Sequence, residues 1–283
     1  MLRRSAPVLS VFVVAIFAQA QQRPAGIEQA FSRLYNFDFR GAQAALDRYI
    51  GAHPQDPLGY AMRSSAYLFY ELDRLSILES EFFSDDKRIA DQKKLKPDPN
   101  VRAQLFQAVD AAMANSQKIL ESNPNDSNAL FAMCITQGIV TDYTALVEKK
   151  QLSSLPHIKK STAYAQQLIK NYPEFYDAYL TTGMTEYMLG SMPFFVRWFI
   201  RIDDIKGSKE KGIDTVQMVA RKGHYLKPFA KIMLAVAYLR EKKPRLAQQE
   251  LADLSHDYPE NLLFKKELAK VSEMLRGPEF RGQ

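Results

Sequence analysis

The stretch Pro228–Asn261, PFAKIMLAVAYLREKKPRLAQQELADLSHDYPEN, decides how the rest of the 283-residue chain is read. Leu234, Ala235 and Tyr238 recur at helical spacing on one segment, and Pro244, Ala247, Leu251 and Leu254 do so on a second. Pro259 then stops the second helix from continuing. The stretch therefore reads as two short helices closed by a proline turn. Its length serves as a ruler for everything upstream.

Four closing motifs recur along the chain: AHPQDP at 52–57, SNPNDS at 122–127, NYPEFY at 171–176 and DYPENL at 257–262. Between them the same helix, helix, proline pattern returns. Gly26–Pro54 holds a helix over Ile27–Tyr35, a turn at Asn36-Phe37-Asp38, and Phe39, Ala42, Leu46 and Ile50 on a second helix. A second unit opens with Tyr60, Ser64 and Tyr67, is interrupted from Leu72 to Pro97, and resumes over Val101–Glu121. A third runs from Ser127 to Pro173, with a linker expected at Gln151–Pro156. The fourth has Tyr179, Gly183 and Tyr187 on its first helix, an insert from Gly190 to Gly207, and a second helix over Lys209–Arg221. After the fifth, Leu268, Val271 and Leu275 mark a final helix that would cap the exposed stacking face.

With large and small apolar residues at these positions, Pro228–Asn261 resembles a tetratricopeptide repeat, and the likeness extends over Gly26–Leu275. The resemblance implies an all-α, right-handed solenoid of about five helix pairs with inserts and a C-terminal capping helix. Its parts would be a leader at 1–20, the repeat domain at 21–276 and a short flexible tail at 277–283. The insert between the helices of the fourth unit, followed by KGSKEKG, is similar to one in exported bacterial tetratricopeptide proteins.

The leader is read from the residues themselves. Arg3 and Arg4 precede an apolar run from Ala6 to Phe17, and Ala18-Gln19-Ala20 offers small residues for cleavage before Gln21. About 12 apolar residues fall short of the roughly 20 that a spanning helix needs. The expectation is export to the bacterial periplasm, or secretion. Removing Arg3 and Arg4 lowers the formal charge from +6 to +4, too mild a surplus to point to nucleic acid. Cys134 is the single cysteine, so no internal disulfide forms, and its apolar helical setting points to a buried thiol.

Motifs for chemistry are absent from the sequence. His53, His157, His224 and His256 do not cluster, and they read as polar or capping residues at helix junctions. Asp85-Asp86 and Asp203-Asp204 are neighbours that point apart on a helix, which suits solvated salt links better than paired acid and base. No enzyme activity, metal or cofactor is expected.

Two stretches are candidates for contact. The Gly190–Ile202 insert, if helical, puts Phe195, Trp198, Phe199 and Ile202 on one face and Arg197 and Arg201 on another. Such a helix packs on the repeats, binds a partner or lies on a membrane surface. The resemblance also implies a concave face lined by first helices: Leu58, Ser65, Phe131, Ile135, Leu180, Met184, Tyr187, Phe229, Ile232 and Val236. This lining is apolar, without the Lys, Arg and Asn with which the family clamps a peptide carboxylate. It accepts an apolar helix or lipid-like ligand, or an insert of the chain fills it. The function expected is a scaffold or adaptor for a protein or peptide partner in the cell envelope. Its alternatives are a periplasmic carrier of a small apolar ligand and a peripheral membrane helper.

Overall fold

The computed structural model describes residues 25–79, 96–193, 202 and 205–277. Residues 1–20, read above as a leader, and Phe195, Arg197, Trp198, Phe199 and Arg201 of the aromatic insert lie outside that set. The described residues form eleven α-helices and no strand. They are α1 Ala25–Tyr35, α2 Phe39–Ala52, α3 Pro57–Arg74, α4 Pro99–Ser122, α5 Ser127–Asp142 and α6 Gln151–Asn171, followed by α7 Tyr179–Ser191, α8 Lys209–Lys222, α9 Lys227–Arg240, α10 Pro244–Asp257 and α11 Leu262–Met274. Each packs on the next in chain order, and α3 also packs on α5.

The closing motifs build the junctions by one local rule. His53, Asn123 and Tyr258 end α2, α4 and α10, a proline follows, and Asp56, Asp126 and Asn261 cap α3, α5 and α11. Asp56 accepts from the Leu58 N–H at 2.9 Å, Asp126 from Ala129 at 2.9 Å, and Asn261 from Leu263 at 3.0 Å. These side chains satisfy N–H groups that a helix start leaves without partners. The motif at 171–176 has Phe175 where the others have Asp or Asn. That junction begins with a 3-10 turn over Tyr176–Ala178 and has no side-chain cap.

Both inserts leave and re-enter their helix pair at one point. A Cβ at Gly190 would lie 2.5 Å from the Lys209 nitrogen, and one at Gly207 would lie 2.6 Å from the Gly190 nitrogen. Only residues without side chains fit this contact, so α7 and α8 stay paired across the excursion between them. The earlier interruption is fastened by Glu71, which is fully buried. Glu71 takes two hydrogen bonds from Arg74, at 2.8 and 2.7 Å, and a third from the Asp98 N–H at 2.8 Å.

One local expectation is corrected. Gln151–Pro156 is not a linker but the first turns of α6, with Pro156 inside the helix. The break instead lies at a π-helical turn over Tyr143–Val147 and at Lys149, whose φ is +58°. Apolar residues before the break explain the longer run: Tyr143 and Val147 are buried against Leu68, Leu105 and Val109. Ser127–Val147 as a whole is apolar and long enough to cross a membrane, but it is mostly buried inside the molecule.

Candidate functional site

Helix α1 carries Ile27, Ala30, Phe31, Leu34 and Tyr35, each 6% exposed or less. Part of this set faces α2. The remainder meets residues far along the chain, because the first helix pair lies against the turn before α9 and the start of α11. Phe31 stacks on Tyr225 with ring centroids 4.5 Å apart, and Tyr225 stacks on Phe131 at 6.0 Å. The Tyr35 hydroxyl donates to the Tyr225 carbonyl at 3.0 Å. In the other direction, Asn261 donates to the Tyr35 carbonyl at 2.8 Å while its Oδ1 caps α11. One asparagine thus serves both a helix start and the joint between α1 and α11.

Asp177 shapes the turn that receives α1. Its carboxylate is buried and accepts from the backbone N–H groups of His224 at 2.9 Å, Leu226 at 3.0 Å and Tyr225 at 3.2 Å. Burial pushes this carboxyl up, against the downward pull of the three donors. With the turn held, His224 Nε2 reaches Glu28 Oε1 of α1 at 2.6 Å. Burial also raises the Tyr35 phenol well above its ordinary value, so it remains a neutral donor.

The joint continues on both sides of α1. Rings run from Tyr70 to Phe39 at 5.7 Å, Phe39 to Phe37 at 5.2 Å, Phe37 to Phe264 at 6.3 Å and Phe264 to Tyr258 at 6.3 Å. Tyr258 closes the run onto Tyr35 at 5.5 Å. Phe69 of α3 meets Phe229 of α9 edge-on at 5.6 Å. Glu79 pairs with Lys266 at 2.7 Å and Lys270 at 3.5 Å on α11, and those lysines hold its carboxyl below the usual range.

The ten residues expected on a concave face differ in burial and in their neighbours. Leu58, Ser65, Phe131, Leu180 and Tyr187 are buried, and Ile135, Met184, Phe229, Ile232 and Val236 are partly buried. Leu58, Phe131, Ile135 and Phe229 share a cluster with α1 residues. Leu180, Met184 and Phe229 join the cluster built by α8 to α11. The sequence leaves the occupant of such a groove open between a ligand and an insert. Among the described residues the first helix pair accounts for part of this burial, beside Leu58, Phe131, Ile135 and Phe229. The available signal was the apolar set Ile27, Phe31, Leu34 and Tyr35, which exceeds what one partner helix could cover.

Burying Ile27, Phe31 and Leu34 contributes about 1.5–3 kcal/mol each, a sum comparable to the whole stability of a domain. Helix α1 is a fixture of the fold rather than a lid.

The remaining candidates lie elsewhere in the fold. Cys134 is buried, with Thr181 Oγ1 at 3.2 Å, and burial raises its thiol, which suppresses the thiolate a nucleophile needs. His157 lies inside α6 rather than at a junction and bonds Gln137 at 2.9 Å. Among the described residues no group of three potential metal ligands comes together. A surface cleft of about 490 Å³ runs beside Tyr172, Tyr176, Lys222 and His224, and its aromatic and cationic groups already engage one another, Lys222 over Tyr176 at 4.9 Å. No family model matches the chain, and no curated protein matches it.

Proposed function

We propose that the chain is an exported, non-enzymatic scaffold of the tetratricopeptide type that binds a protein partner in the bacterial cell envelope. The observation that carries this reading is the packing of α1 in one cluster with Leu58, Phe131 and Phe229, which leaves exposed side chains such as Met188, Leu246 and Leu262 as the surface for contact. Solenoids of this type recruit partners through surfaces assembled from successive repeats. The recurring junctions at His53–Asp56, Asn123–Asp126 and Tyr258–Asn261 support the repeat assignment, since each stops one helix and caps the next by the same means. The leader-like residues 1–20 support export. Burial of Leu58, Phe131, Leu180 and Tyr187 speaks for a protein partner over a small apolar ligand, because these side chains pack within the molecule.

Photo-crosslinking in cells tests the proposal. A photoreactive residue placed at exposed Met188, Leu246 or Leu262 is expected to give a discrete adduct with one envelope protein. The same residue at Leu58 or Phe131 should give no intermolecular product. Absence of any discrete adduct from all exposed positions, in protein that melts like the parent, would overturn the scaffold reading.

A further inference from the structure

Helix α6 is 21 residues long, about 30 Å, and contains no acidic residue. Its inner face, with Ser161, Thr162, Ala165 and Leu168, is buried. The opposite face is open: Leu152, Pro156, Lys159, Lys160, Ala163 and Lys170 are all exposed. Leu152 is 81% exposed, the highest value among the exposed large apolar residues described. Lys159 and Lys160 have no ion-pair partner among the described residues. Glu148 is the nearby carboxylate in sequence, and Lys150 and Arg102 engage it at 2.9 and 3.1 Å.

We propose that the outer face of α6 docks on an anionic phospholipid surface, with Leu152 entering the headgroup boundary and Lys159, Lys160 and Lys170 meeting lipid phosphates. A protein interface is a poorer fit, since the centres of such interfaces are depleted in lysine. Small apolar groups flanked by lysines along one helix suit the plane of a membrane interface, where apolar burial and attraction to anionic lipid act together. Charge complementarity selects the lipid class: a basic face without acids gains nothing from neutral headgroups. The inference does not depend on capture of a protein partner.

Flotation with vesicles is the test, using phosphatidylcholine with phosphatidylglycerol against phosphatidylcholine alone. The full chain is expected to float with the anionic vesicles only, and to be released by salt. Lys159→Glu with Lys160→Glu should weaken partitioning by at least about 25-fold, since each lysine near the surface contributes about fivefold. Leu152→Asp should weaken it about tenfold. All three side chains are exposed, so melting temperatures are expected to match the parent and to separate lost docking from lost folding. A parent that fails to float, equal flotation with neutral vesicles, or variants that float like the parent would each overturn the proposal.

Discussion

Asp142 ends α5 with no hydrogen-bond or ion-pair partner among the described residues, and burial alone pushes its carboxyl up to about 7. An unfolded aspartate titrates near 3.9. Between those values the folded chain holds a proton that the unfolded chain has released. Stability therefore falls as pH rises from about 4 to about 7 and levels off above. The full shift would correspond to about 4 kcal/mol, and the partial exposure of the residue lowers the expectation to about 1–3 kcal/mol. Asp142→Asn should leave stability unchanged at acidic pH and raise it by that amount near pH 8, as urea denaturation of both proteins will measure. A parent and variant with the same pH profile would show that the carboxylate is well solvated. Nothing near Asp142 in the sequence announces this role. A π-helical turn follows it directly, a feature that apolar periodicity does not encode.

Helix pairs and their junctions are the most legible level, because the X-Pro-x-Asp or X-Pro-x-Asn pattern acts within four residues and needs no distant partner. Turns within a pair are less legible. Phe37 and Lys242 adopt φ of +60° and +58°, a region costly for residues with a Cβ. In each turn the next residue's N–H reaches back to a helix carbonyl, Asp38 to Arg33 at 3.0 Å and Lys243 to Tyr238 at 2.7 Å. This Schellman closure usually employs glycine, so the sequence hides it. The two positions separate strain from packing. Lys242 is exposed, and Lys242→Gly is expected to stabilise the protein by about 0.5–1 kcal/mol. Phe37 bridges Phe39 and Phe264, so Phe37→Gly should cost about 1–2 kcal/mol despite the same relief of strain. Thermal melts of the two variants should therefore move in opposite directions. A loss of stability in Lys242→Gly would mean that the lysine stem packs against its turn.

The meeting of the first helix with the last three is the least legible level. Tyr35 and Tyr225 are 190 positions apart, and Asn261 and Tyr35 are 226 apart. Whether such residues touch depends on the summed rotation of every intervening helix pair, to which no single motif is sensitive. Only the surplus of apolar residues on α1 hinted that it needed more cover than α2 provides. The consequence is energetic. An open array unfolds approximately as a sum of neighbouring units, and damage to its first pair frees that pair alone. Here α1 supports the turn before α9 and the start of α11, so the first and last pairs hold each other. Phe31→Ala removes the ring stacked on Tyr225 and is expected to cost about 3–5 kcal/mol. Native-state hydrogen exchange should then show α9, α10 and α11 losing amide protection together with α1 and α2, while the middle helices lose less. Loss confined to α1 and α2 would mean that the terminal contacts add little. Joint loss would identify the end-to-end seam as what makes the helix pairs fold as one unit.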